Sequence, residues 1–266
     1  FFKKKKIDVM IMAAAKVGGI IANKENKAQF YLDNTTIQNN LLKLALNKKV
    51  KRTVFLGTSC IYPKNSKTPI KEEYLLTGKL ETTNETYALA KIGGIKLSEA
   101  LYFQQNLDVV CLMPTNLYGL NDNYDPFSSH VIPGIISKIY NAKIQKRNFV
   151  KLLGTGKPIR EFLHANDLAA AIYLICKLSK ARIKNNVKKQ FPMFNVGSGE
   201  SFTIKKLANI IKKELNYSGN IIFDNTSPDG TNKKNLESSK IKKFGWKPKI
   251  KFLTGLKKIV FEKLKI

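Results

Sequence analysis

Apolar residues along this chain fall into short unbroken runs separated by longer segments with helical spacing, the alternation expected of a doubly wound α/β fold. Ile7 to Ala14, Thr53 to Gly57 and Asp108 to Met113 read as strands. The third is apolar from Val109 and stops at Pro114, as in a parallel sheet covered on both faces. Ile7 to Ala14 is expected to be a buried parallel strand of the same kind. Phe30 to Lys48 reads as a helix with apolar positions at Ile37, Leu41, Leu44 and Ala45, and Thr86 to Gln105 as a longer one. Ligands of such sheets gather beyond the carboxyl ends of the strands. Thr58 to Cys60 and Pro114 to Tyr118 fall there.

After Gly119 the pattern changes to loops and shorter elements. A polar loop spans Asn121 to Ser129, a helix Val131 to about Gln145 and a strand Phe149 to Leu153. Asp167 to Leu178 is an apolar helix, and Lys180 to Gln190 a basic, exposed connector. Met193 to Val196 reads as a strand returning to the main sheet, and Phe202 to Leu215 as an amphipathic helix opened by Ser201 or Thr203. The chain closes with Phe244-Gly245-Trp246-Lys247-Pro248 and a Lys-rich helix. Residues 1–117 with the returning strand at about 191–198 are assigned to one domain, and the rest of 118–266 to a second that covers the substrate.

With 266 residues, 43% of them hydrophobic, the chain can bury a sizeable core. No apolar run reaches the ~18 residues that cross a bilayer. Phe1 to Ala15 imitates a signal peptide, with Lys3 to Lys6 as its basic region and Ala13 to Ala15 as its cleavage site. Asp8 interrupts it, and a sheet strand is the better reading. The formal charge of +28 raises the question of nucleic acid, but only Arg52, Arg147, Arg160 and Arg182 are arginines and the lysines form no single stripe. A solvated lysine surface is expected. Cys60, Cys111 and Cys176 form no paired framework, which fits a reducing cytoplasm. Cys111 and Cys176 read as core fillers.

The chemistry sits in Thr58-Ser59-Cys60-Ile61-Tyr62-Pro63 and Tyr87-Ala88-Leu89-Ala90-Lys91. Tyr-x-x-x-Lys alone says little: with ten Tyr and 43 Lys (47 basic residues less four Arg), chance gives about 1.6 matches. The other match, Tyr173 to Lys177, lies in an apolar helix and reads as core packing. Helical spacing puts Tyr87 and Lys91 on one face, so the ammonium is expected to lower the phenol's proton affinity. Tyr87 would then donate a proton to a substrate oxygen held by the Thr58 hydroxyl.

These motifs, with Ala13-Ala14-Ala15-Lys16-Val17-Gly18-Gly19-Ile20, Pro114-Thr115-Asn116-Leu117-Tyr118-Gly119, Ser129-His130-Val131-Ile132-Pro133 and Arg160-Glu161-Phe162-Leu163-His164, resemble the GDP-L-fucose synthase family. Those enzymes are extended short-chain dehydrogenase/reductases acting on GDP-4-keto-6-deoxy-D-mannose, and the resemblance runs from Phe1 to the terminal helix. It implies a Rossmann-like parallel sheet with a smaller α/β C-terminal substrate-binding domain. Cys60 and His130 match the acid/base pair that inverts C3 and C5 beside the C4 ketone, and Thr58, Tyr87 and Lys91 the reduction set. NADP(H) would contact Ala13, Ala14, Ala15, Leu56, Gly57, Thr58, Lys91, Pro114, Thr115, Asn116, Leu117 and His130. Lys138, Leu153, Arg160, Asp229 and Lys234 match or neighbour substrate-binding positions, with Arg160 suited to the diphosphate. His164 is expected to be structural. No metal is implied. The helices 30–48 and 86–105 would form a homodimer's four-helix bundle.

The family opens with a strand, a Gly-x-x-Gly-x-x-Gly turn and a helix, and this chain starts about fifty residues later, without that first βαβ unit. The resemblance therefore implies weak cofactor binding and inactivity for this chain, and activity for a longer version. Two alternatives stand beside it. A nucleotide-sugar epimerase or dehydratase of the same superfamily would share Thr58, Tyr87 and Lys91 without needing Cys60 and His130. A non-catalytic, Lys-rich polyanion-binding remnant would need none of them.

Overall fold

The computed structural model describes residues 6–125 and 127–264. Phe1 to Lys5, most of the basic opening, and Pro126 in the polar loop lie outside them. In chain order the first half forms β1 (Val9–Met12), α1 (Ile20–Glu25), α2 (Lys27–Asn47), β2 (Arg52–Leu56), α3 (Glu85–Gln104), β3 (Val109–Pro114) and β4 (Asn116–Tyr118). The second half adds α4 (Val131–Ile144), β5 (Phe149–Leu153), β6 (Ile159–His164), α5 (Ala165–Lys177), α6 (Lys180–Asn186) and β7 (Met193–Val196). It continues with β8 (Ser201–Thr203), α7 (Ile204–Glu214), β9 (Asn220–Asp224), β10 (Lys233–Lys234), α8 (Ser239–Lys242) and α9 (Phe252–Leu264).

The main sheet has the order β1-β2-β3-β7, all parallel. Alternation along β2 and β3 splits their side chains between two cores. Phe55, Val109, Cys111 and Met113 face Leu42 and Ala45 of α2 and Ile92 and Ile95 of α3. Val54, Val110 and Leu112 face Leu168, Ala171 and Ile175 of α5, together with Ile241, Phe244 and Trp246. Both faces being covered explains why every residue of β3 is buried. Burial also pushes the Cys111 thiol up, consistent with a packing role. Arg52 and Asp108 form an ion pair at 2.8 Å, nearly out of solvent, where β2 meets β3.

A second assembly has the order β10-β6-β4, with β8 antiparallel to β6, while β5 and β9 form a two-stranded parallel sheet. α4, α7 and α9 bury Ile132, Ile136, Leu207, Ile211, Phe252 and Leu256 against them. No helix among the described residues is long and apolar enough to cross a membrane.

Several local expectations are corrected. β1 is buried on one face only, with Val9 and Ile11 exposed, because Met10 and Met12 pack on the α2 side while no core cluster of the described residues takes in Val9 or Ile11 on the other. The connector after Leu178 contains α6, whose Ile183 joins Val187 in the core. Ser201 to Thr203 is a strand, so α7 starts at Ile204, and Thr203 caps it by accepting from Lys206 N–H at 3.1 Å. Tyr173 is 65% exposed, with the Lys177 ammonium 5.5 Å from its ring centroid. That motif is a surface cation–π pair, not core packing.

Candidate active site

β2 ends at Leu56, and Gly57 and Thr58 lead into a single 3-10 turn, Ser59–Ile61. Thr58 caps the turn, its hydroxyl accepting from Cys60 N–H at 3.2 Å. Tyr62, 3% exposed, donates its phenol proton to Asn195 Oδ1 at 2.6 Å. Asn195 in turn donates its N–H to Glu72 and its side-chain amide to the Ile70 carbonyl. The segment carrying Cys60 is thus tied to β7, and buried polar groups are satisfied in pairs.

α3 delivers Tyr87 and Lys91 to the same strand end. A methyl group on Gly94 would lie 2.5 Å from Gln38 Oε1 and 2.6 Å from Phe55, so the bare glycine is what lets α3 close on α2 and β2. The Tyr87 phenol faces the Thr58 side chain. Its ring stands edge-on to Phe30, with centroids 6.3 Å apart.

Lys91 does not serve the phenol as the helical spacing suggests. Lys91 is 5% exposed, and its ammonium donates to the Leu56 carbonyl at 3.0 Å and lies over the Phe55 ring. It is not among the groups that shift the Tyr87 phenol, which burial, aided by the charge on Cys60, holds well above its usual range. Burial also pulls the Lys91 ammonium down to about 8. Desolvation thus raises the proton affinity of the Tyr87 phenol, the opposite of the lowering that pairing with Lys91 would give.

Two donors converge on Cys60. Asn84, the residue before α3, points Nδ2 at the sulfur at 3.4 Å, and Lys234 points its ammonium at it from 3.6 Å. Lys234 stands opposite Arg160 in the pairing of β10 with β6. Arg160 donates to the Asp229 carbonyl at 3.2 Å, and burial lowers the proton affinity of its guanidinium. The Asp229 carboxylate is turned away, accepting the backbone N–H and hydroxyl of Thr155, both at 2.7 Å. Beneath them Glu161, fully buried, accepts from Gly199 N–H at 2.6 Å and Leu236 N–H at 2.7 Å. Its carbonyl receives the side chains of Thr115 and Asn116. Asn84 and Glu161 escaped the sequence reading, although Asn84 stands three residues before Tyr87 and Glu161 directly follows Arg160.

His130 precedes α4 with its imidazole exposed and making no capping bond. Its segment is fixed from across the site: Gly19 N–H donates to the Ser128 carbonyl at 3.1 Å. Ala13 and Ala14 are exposed beyond the carboxyl end of β1, and Asn34 bonds both backbone groups of Lys16 after them. Pro114 and Thr115 are buried where β3 passes into β4, with Asn116 and Leu117 partly open. Lys138 lies apart. It lines a groove with Asn141, Gln145, Arg147 and Lys151 that none of the catalytic residues enters, and burial lowers its ammonium. Leu153, 45% exposed, ends β5. His164 caps α5, Nδ1 accepting from Asn166 N–H at 3.1 Å, the structural role expected of it. Among the described residues no group of three His, Cys, Asp or Glu could share a metal ion.

The pattern of the NAD dependent epimerase/dehydratase family matches residues 1–197. A putative GDP-L-fucose synthase 2 of Arabidopsis thaliana is 46% identical over 96% of this chain and 75% of its own length. GDP-L-fucose synthase of Escherichia coli K12 is 43% identical, over 96% of this chain and 80% of its own. The crystal structure of a GDP-L-fucose synthetase from Naegleria fowleri bound to NADP superposes with a TM-score of 0.84 at 27% identity, covering 99% of this chain and 79% of that one. A parallel sheet with Thr58, Tyr87 and Lys91 at one strand end and a thiol beside them is what these relationships lead one to expect: the chain belongs to the NAD dependent epimerase/dehydratase family, among its GDP-L-fucose synthases.

Proposed function

We propose that this protein inverts C3 and C5 of GDP-4-keto-6-deoxy-D-mannose and then reduces the C4 ketone, forming GDP-L-fucose. The observation that carries this reading is the position of Cys60: its N–H donates to the Thr58 hydroxyl at 3.2 Å, and its sulfur lies 3.4 Å from Asn84 Nδ2 at the start of the helix that bears Tyr87. One pocket then serves both steps, because the carbons to be inverted flank the carbonyl to be reduced.

For inversion, the Cys60 sulfur removes a proton from the carbon beside the ketone, and the C–H electron pair moves into an enolate. His130 returns a proton to the opposite face. For reduction, Thr58 holds the C4 oxygen while the desolvated Tyr87 phenol gives it a proton. NADPH, when bound, supplies the hydride.

The residues present fit the nicotinamide half of that cofactor: Ala13 and Ala14 open at one strand end, with the buried Lys91 ammonium at the next. Ala15, Leu56, Gly57 and Pro114 to Leu117 would line it. Arg160 would take the substrate diphosphate, with Lys138, Leu153 and Asp229 toward the nucleoside. Residues 1–117 with 191–198 form the cofactor domain in this reading, and the remainder the substrate domain. Exposed Tyr31 and Leu32 of α2 and Leu89 and Phe103 of α3 support a homodimer paired through these helices. We place the enzyme in the cytoplasm, with neither nucleic acid nor membrane as a partner.

The test is product analysis of the full-length protein and of its Cys60→Ser and His130→Asn variants, given GDP-4-keto-6-deoxy-D-mannose and NADPH. Wild type should yield GDP-L-fucose and both variants should lose inversion. Inversion undiminished in both would remove the basis of the reading.

A further inference from the structure

Lys234 is a buried cation, 8% exposed, and among the described residues no carboxylate lies within ion-pair distance of it. Its recorded side-chain partner is the Cys60 sulfur at 3.6 Å. A buried ammonium without a counter-charge is strongly disfavoured, and the sulfur is the partner in reach that can carry one. The second donor to that sulfur, Asn84 Nδ2 at 3.4 Å, leaves its own Oδ1 buried and without a partner, so Asn84 is spent on the sulfur and not on capping α3.

The placement of Lys234 is built, not incidental. β10 has only two residues, too few to hold a register by themselves. The Glu161 carboxylate fastens Leu236 N–H at 2.7 Å, and the Asn235 carbonyl receives Ile70 N–H at 2.8 Å. With Ile159 N–H donating to the Asn232 carbonyl at 2.8 Å on the other side, these bonds bracket Lys234 in sequence and fix which way its side chain runs.

We propose that Lys234, assisted by Asn84, is the positioning residue of the inversion step: it aims the Cys60 sulfur and supplies the positive charge opposite it while that sulfur acts as base. The inference rests on the reading of Cys60 given above, and it removes Lys234 from the candidate substrate ligands. In the step it supports, the substrate C–H bond breaks and an S–H bond forms. The electron pair passes to the carbonyl oxygen until His130 reprotonates the carbon, so no oxidant or further reactant enters.

The experiment compares Lys234→Met, Lys234→Arg and a control at the exposed neighbour, Lys233→Met, in the full-length protein. Iodoacetamide alkylation of Cys60 at pH 7.5, corrected with Cys60→Ser for Cys111 and Cys176, needs no substrate. Deuterium entry at C3 and C5 of GDP-4-keto-6-deoxy-D-mannose in heavy water reads the base directly. Lys234→Met should slow both by about tenfold or more, with KM within about twofold of wild type, whereas Lys234→Arg and Lys233→Met should keep most of each. A raised KM with alkylation and deuterium entry unchanged would make Lys234 a substrate ligand and overturn the proposal. If wild type itself admits no deuterium, the inversion reading fails, and alkylation still decides whether Lys234 governs the sulfur.

Discussion

Gly19 and Ser129 meet backbone to backbone across the site. A methyl group on Gly19 would stand 2.5 Å from the Ser129 carbonyl oxygen, closer than real side chains come. Gly19 itself has an ordinary φ of −68°, so the glycine is required by the close approach and not by its own conformation. Because Ser129 precedes His130, Gly19→Ala is expected to displace the imidazole. Inversion should fall by at least about tenfold, equivalent to ~1.4 kcal/mol of barrier, with the reduction of an already inverted substrate less affected. Rates of deuterium entry and of NADPH oxidation on the inverted sugar separate the two effects.

Tyr87→Phe removes the proton donor for the C4 oxygen while leaving Thr58 and Cys60 in place. Reduction is expected to drop by about 10²–10⁴, the usual contribution of a positioned general acid. Deuterium should still enter C3 and C5. Equal losses of both activities would mean that the phenol serves inversion as well.

Lys91 links the site to stability. Its ammonium is lowered by burial from 10.5 to about 8, so between those values the unfolded chain holds a proton that the folded chain has released. Stability therefore rises with pH across that window. Lys91→Met should be the more stable protein at pH 7, by on the order of 3 kcal/mol at most, and its advantage should close by about pH 10.5. Urea unfolding of both proteins at pH 7 and pH 10 checks the sign.

Glu161 is the hinge pin between β6, β10 and the turn at Gly199. Glu161→Gln keeps the shape but replaces one acceptor oxygen by an NH₂ group facing either Gly199 N–H or Leu236 N–H. One buried donor is left unpaired, and the protein should lose about 2 kcal/mol. Because Leu236 follows Lys234 closely, Cys60 alkylation should slow in the same variant. A melting curve matching wild type would show the carboxylate to be dispensable.

Much of the main sheet was legible because β2 and β3 are apolar on both faces, a signal local to each strand. β5 and β7 were also read to the residue, although β5 is buried at alternate positions only and carries Lys151 on its open face. Thr58, Cys60, Tyr87 and Lys91 could be listed from motifs, but their electrostatics could not. Spacing put Lys91 beside Tyr87 on α3, whereas the Leu56 carbonyl at the end of β2 captures the ammonium. The companions of Cys60 were equally hidden: Asn84 meets it only once α3 has packed against the end of β2, and Lys234 only once β10 has been registered against β6. Tyr173 was misjudged because its helix is apolar as a whole, and only tertiary packing decides which stripe of α5 faces the core.

The central claim is that Cys60 and His130 add inversion to a reductase. The direct measurement is mass and NMR analysis of the sugar formed from GDP-4-keto-6-deoxy-D-mannose and NADPH by the full-length protein in heavy water. The account predicts GDP-L-fucose with solvent deuterium at both C3 and C5. A C4-reduced sugar with the original C3 and C5 configuration and no deuterium at either carbon would contradict it.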